Sequence, residues 1–163
     1  MKGTISPKPE GENGEEAEGG EDAMTDGDTT ELLNAVIPFA QQMLTEHGAF
    51  MPFGAVVSST GGVALLAGAP DIQAEEAMIE FLVSVLKQQA SDGHIRASAL
   101  CYDTRVTAPE MAAKQEAICV ELEHASERCA RLFLPYEKPI VGQLKYGELF
   151  GSVHSPRVFR RVL

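Results

Sequence analysis

Residues Phe53 to Gln89 read FGAVVSSTGGVALLAGAPDIQAEEAMIEFLVSVLKQQ. Phe53–Val57 and Val63–Ala67 are two short apolar runs of strand length, each bounded by turn residues. Between them lies Ser58-Ser59-Thr60-Gly61-Gly62, where glycine supplies positive φ without a Cβ clash. Val56-Val57 and Leu65-Leu66 are adjacent apolar pairs, so neither run alternates. That pattern predicts strands covered on both faces. After Ala69-Pro70-Asp71, residues Ala74, Ala77, Met78, Phe81, Leu82, Val85 and Leu86 follow the i, i+3, i+4, i+7 spacing of a helix with one buried stripe. Pro70 and Gly93 mark its start and stop. Ile79 and Val83 lie beside the stripe and either widen it or meet another layer or subunit. The unit is ββα, and the rest of the chain extends or covers it.

Ahead of this unit, residues 1–30 carry 9 acids against 2 bases, a net of −7, out of −11 for the chain. Residues 1–29 hold six glycines and two prolines and no aromatic residue. Such a run cannot offset its ordering entropy by burial, so it reads as a disordered acidic tail. Met24 is a candidate alternative start. Residues 31–163 carry 15 acids and 11 bases, a net of −4. This mild acidity does not suit a nucleic-acid backbone, which calls for a basic patch. No apolar run approaches the roughly 18 residues of a membrane span, and the N-terminus lacks the apolar core of a secretory signal. Cys101, Cys119 and Cys129 are odd in number and widely spaced, against a disulfide framework. The protein reads as cytoplasmic, with reduced thiols.

A first helix is predicted over about Thr30 to His47, with Leu33, Val36, Ile37, Ala40 and Leu44 on one face. Asp28 and Glu31 have the spacing of a capping box, and Gly48 ends the helix. Pro38 removes a hydrogen bond and crowds the preceding turn, which predicts a kink near residues 34–38 or a break there. Beyond the ββα unit, Ile95–Thr107 is a strand, a loop holds Pro109, and Ala117–His124 and Arg128–Leu134 form a hairpin. A turn at Ala125-Ser126-Glu127 pairs Leu122 with Ala130, Val120 with Leu132 and Ile118 with Leu134, so burial fixes the register. The same register sets Glu121 opposite Arg131, an ion pair worth roughly 0.2–1 kcal/mol if exposed. From Pro135 the pattern weakens toward irregular structure with one short element. Val141, Leu144, Tyr146, Leu149 and Phe150 cover an edge or a helix face, and Arg157, Arg160 and Arg161 form a solvated basic end.

No phosphate loop, nucleophile elbow or zinc-protease motif occurs. Cys119, His124 and Cys129, with His94 or Cys101, do not have zinc-site spacing, and no cofactor is expected. The chemistry-bearing cluster is a charged sheet face of Asp103, Arg105, Glu121, Glu123 and Arg131. It reads either as a ligand-binding face with a carboxylate of shifted pKa or as the solvated side of an antiparallel sheet.

The strings MPFGAVV (51–57), CYDTRV (101–106), LPYEK (134–138) and YGELF (146–150) resemble a small family of uncharacterised bacterial proteins. That resemblance brings no activity or site residue. The element order α-β-β-α-β-β-β is similar to the roadblock and profilin-like folds, whose members commonly dimerise or bind protein partners. The expectation is one α+β domain over residues 30–163, an antiparallel sheet of about five strands with two main helices. Its expected role is a non-enzymatic protein-interaction module, as a homodimer or with another protein. The alternative is a small enzyme or ligand-binding domain using the charged face.

Overall fold

The computed structural model describes residues 27–107, 113–152 and 154–159. The tail up to Asp26 with Met24, the loop at Pro109, and Arg160 and Arg161 lie outside those residues. In order come α1 (Gly27–His47), β1 (Phe53–Ser58), β2 (Val63–Leu66), α2 (Glu75–Ser91), β3 (Ile95–Val106), β4 (Gln115–His124), β5 (Cys129–Glu137), β6 (Lys145–Tyr146) and β7 (Phe150–Ser152). The fold is α+β. The antiparallel sheet runs β2-β1-β3-β4-β5-β6, with β7 also paired to β5.

Strand alternation assigns each helix to its own side. Ala97, Ala99 and Cys101 of β3 join Ile118, Val120 and Leu122 of β4 in a core sealed by Leu32, Val36, Ala40 and Leu44 of α1. The intervening Leu100 and Tyr102 face Met78 and Leu82 of α2. Leu86, Ile95 and Val158 close a third cluster at the far end of α2. The sheet is therefore the middle layer, with α1 on one side and α2 and the C-terminal segment on the other.

The β4–β5 hairpin has the register expected from burial, including Glu121 opposite Arg131. The β1–β2 turn closes through Ser58 N–H donating to the Gly62 carbonyl at 2.7 Å. Only Gly61 of the two glycines has positive φ, at 105°. α2 stops at Gly93, where φ is +74°. Its stripe runs along Met78, Leu82 and Leu86 and takes in Ile79 and Val83 on its flank, whereas Ala74 and Ala77 are exposed.

Other expectations need correction. β2 is not covered on both faces: it is an edge strand, with Val63 39% and Leu65 48% exposed. Apolar composition alone does not distinguish a central strand from an edge one. α1 begins at Gly27, so residues 27–29 belong to the helix and not to the tail. The break at Pro38 does not occur: the helix runs on through that residue, which sits on the exposed side. Leu32 belongs to its buried stripe. Asp28 lies inside the first turn rather than capping it, and its carboxylate receives Arg96 and His124. After β5 there are two short strands; Leu144 and Tyr146 pack on the core, and Phe150 stacks on Phe133 at 5.2 Å. Val141 is 86% exposed and covers nothing.

Candidate functional site

The sheet register divides the charged cluster read from sequence between two faces. Cross-strand partners share a face, and Asp103 pairs with Ile118 while Arg105 pairs with Glu116. Those two lie on the α1 side. Glu121 and Glu123, with Arg131, lie on the side of α2 and the C-terminal segment. One face holding all five residues does not exist, because β3 and β4 pair with Asp103 opposite an inward-facing residue.

β4 lies deep within the sheet, so both its faces are covered. Glu121 and Glu123 are 4% and 2% exposed. The solvated reading of this face is thereby overturned: residues 154–159 lie across it. Arg157 Nε donates to Glu121 Oε1 at 3.0 Å and Nη2 donates to Oε2 at 2.9 Å. Tyr102 donates its hydroxyl to the same Oε2. Glu123 Oε1 accepts the N–H of Val158 at 2.8 Å and of Phe159 at 3.1 Å, and Oε2 accepts that of Arg157 at 2.9 Å. His154 Nε2 lies 3.4 Å from Glu123 and 3.7 Å from Glu121, with its side chain 4% exposed. Arg157 is thus an anchor of the C-terminal segment rather than part of a solvated basic end.

The electrostatics follow from those contacts. Burial pushes the Glu123 carboxyl up, but the bonds from His154 and the three backbone amides outweigh it and hold the group below its usual range. A carboxylate so saturated is a weak base. Burial pushes the Cys119 thiol up to about 12, so it stays protonated and unreactive. Burial, with Cys119 and Glu121 beside it, raises Tyr102, keeping its hydroxyl a donor. An open depression of about 470 Å³ remains above this cluster, lined by Tyr102, Glu121, Arg131, His154, Ser155 and Arg157.

On the opposite face the Tyr136 hydroxyl sits 2.8 Å and 2.9 Å from the oxygens of Asp103 and 2.9 Å from Glu116 Oε1. One hydroxyl proton cannot serve two carboxylates. Burial raises the Asp103 carboxyl and Glu116 adds to it, against the bonds from Tyr136 and the Thr104 backbone and the charge of Lys138. Arg105 is exposed beside them. Among the described residues no group of three or more His, Cys, Asp or Glu could hold a metal ion, and no helix is long and apolar enough to cross a membrane.

Sequence reading did not find His154, Arg157, Tyr102, Tyr136 or Glu116. The only signal available was two glutamates in a strand too apolar to be solvated, which implies partners without naming them. No family model, curated protein or solved structure matches this chain.

Proposed function

We propose that the protein is a non-enzymatic interaction module whose partner is a second copy of the chain, joined along β2. The observation that carries this reading is the outer edge of β2. Within the described residues β2 pairs only with β1. Edge strands are ordinarily guarded by charge or proline, yet Ser58–Ala69 contains neither. Val63 and Leu65 stand exposed on the α1 side of the sheet, and Met51, 41% exposed, borders an apolar groove of about 420 Å³ beginning at Ala67.

A two-fold axis normal to the sheet through Leu65 sets Leu65 against its copy and Val63 against Ala67 of the other chain. Both pairs fall on the same face, so the apolar positions stay in register. Charge supports a second copy over other modes of self-contact: residues 31–163 carry a net −4, and the β2 edge is a stretch where two copies meet without like charges. The charged sheet face supports the ligand-binding alternative less well, because its glutamates are bonded to the chain's own C-terminal segment. The same reading makes the protein cytoplasmic, with its three cysteines as free thiols.

Sedimentation at micromolar concentration tests it. The wild-type chain is expected at twice the monomer mass, and Leu65→Lys at the monomer mass with an unchanged circular dichroism spectrum. A monomeric wild-type protein, or a Leu65→Lys dimer, overturns the proposal.

A further inference from the structure

At one end of the sheet, on its α1 side, five side chains meet where the β4–β5 hairpin turns beneath the start of α1. Asp28 accepts from Arg96 Nε at 2.9 Å and Nη2 at 3.0 Å, and lies 2.9 Å from His124 Nε2. The Arg96 bond, helped by His124 and opposed by burial, holds this carboxyl below its usual range. An ionised carboxylate only accepts, so Nε2 carries the imidazole proton and Nδ1 presents a lone pair. The contact on Nδ1 agrees: Ser126 N–H donates to it at 3.1 Å.

Ser126 Oγ lies 2.9 Å from the same Nδ1, and Arg128 Nε donates to that Oγ at 3.1 Å. A guanidinium has no acceptor, so Oγ accepts from Arg128, which leaves its own hydrogen available to Nδ1 beside the Ser126 N–H. Asp28 and His124 are 16% and 15% exposed, while Ser126 is exposed at the turn. A hydroxyl hydrogen-bonded to an imidazole that a carboxylate orients is the arrangement that activates serine for acyl transfer.

We propose that Ser126 is an activated nucleophile that accepts one acyl group from a small carboxylic ester reaching the hairpin tip from solvent. Oγ bonds to the ester carbonyl carbon as its proton passes to His124 Nδ1. Asp28 stabilises the imidazolium. The Arg128 guanidinium, already at Oγ, lies beside the oxyanion as it forms. The bond to the leaving alcohol oxygen then breaks and the imidazolium returns the proton to it, leaving a Ser126 ester. This goes beyond the interaction reading and does not depend on it, since the hairpin tip and the β2 edge are separate places.

The test uses the full chain with p-nitrophenyl acetate, followed by peptide mass mapping. One equivalent of nitrophenolate is expected, with a single acetyl group on Ser126. Ser126→Ala abolishes the labelling, and His124→Gln slows it by on the order of 100-fold. Acetyl groups confined to lysines or the N-terminus, or Ser126 labelled equally fast in His124→Gln, overturn the proposal. If His124→Gln does not fold, the wild-type peptide map decides: Ser126 acetylated no faster than the other exposed serines overturns the proposal, and Ser126 acetylated ahead of them supports it.

Discussion

Three backbone N–H groups converge on one carboxylate at Glu123. Outside a helix these donors have no ladder to join, and the segment carrying them lies over a sheet where water cannot replace a lost acceptor. Glu123→Gln keeps one acceptor oxygen but removes the charge and turns an NH₂ toward the remaining donors. A loss of about 2 kcal/mol is expected, in the range for hydrogen bonds to a charged group. Urea unfolding measures it, and an unchanged midpoint sinks the idea that this carboxylate secures residues 154–159. Glu121→Gln costs less by the same argument, because Arg157 is 41% exposed and water can take over its donors. At this scale the sequence was partly legible. The alternation of β4 placed Glu121 and Glu123 together on one side. It could not say what lies over them, because His154 and Arg157 are about 30 residues away and nothing local marks them as partners. The same distance hid Tyr136 from Asp103.

Elements were more legible than their neighbours. The α2 stripe and the hairpin register are local patterns, and burial leaves each a single solution. β2 could not be placed because four apolar residues suit an edge or a centre equally; its position follows from sheet order, which is not a local property. Pro38 shows the reverse case, where a strong local signal loses to packing. Leu32, Val36, Ala40 and Leu44 are buried on both sides of it. Keeping them in one continuous helix is worth several side chains of burial, roughly 1.5–3 kcal/mol each, against about 3 kcal/mol for an interior proline. The helix therefore continues and tolerates the defect. Pro38→Ala restores the N–H toward the Asn34 carbonyl at an exposed position, so no core contact changes. The variant is expected to be more stable by about 1–3 kcal/mol, raising Tm by several degrees. A Tm equal to or below the wild-type value would show that the local geometry has already absorbed the cost.

For the whole molecule, the carboxyls divide into two sets with opposite dependence on pH. Asp28 and Glu123 titrate below their unfolded values of 3.8 and 4.5. Their contribution is complete above those values and is lost as pH falls through them toward the folded pKa. Asp103 and Glu75 titrate above 3.8 and 4.5, each raised first by burial. They retain a proton in the folded protein where the unfolded chain has released it, so stability declines as pH rises from the unfolded value to the folded one. Both trends meet at the unfolded values themselves, 3.8 and 4.5, and leave the maximum there. The net charge points the same way, since the chain is at −11 near pH 7 and its pI is 4.7. Urea midpoints measured across pH are expected to peak there, and to fall both in stronger acid and toward neutrality. Two variants separate the causes. Glu123→Gln flattens the acid limb, because the group whose protonation costs stability is gone. Asp103→Asn flattens the upper limb and is more stable than wild type at neutral pH, because an amide can both donate to and accept from Tyr136 without a charge beside Glu116. A wild-type midpoint that rises monotonically to pH 8, or an Asp103→Asn variant less stable than wild type at neutral pH, would mean that burial beside Glu116 does not raise the Asp103 carboxyl in the folded protein.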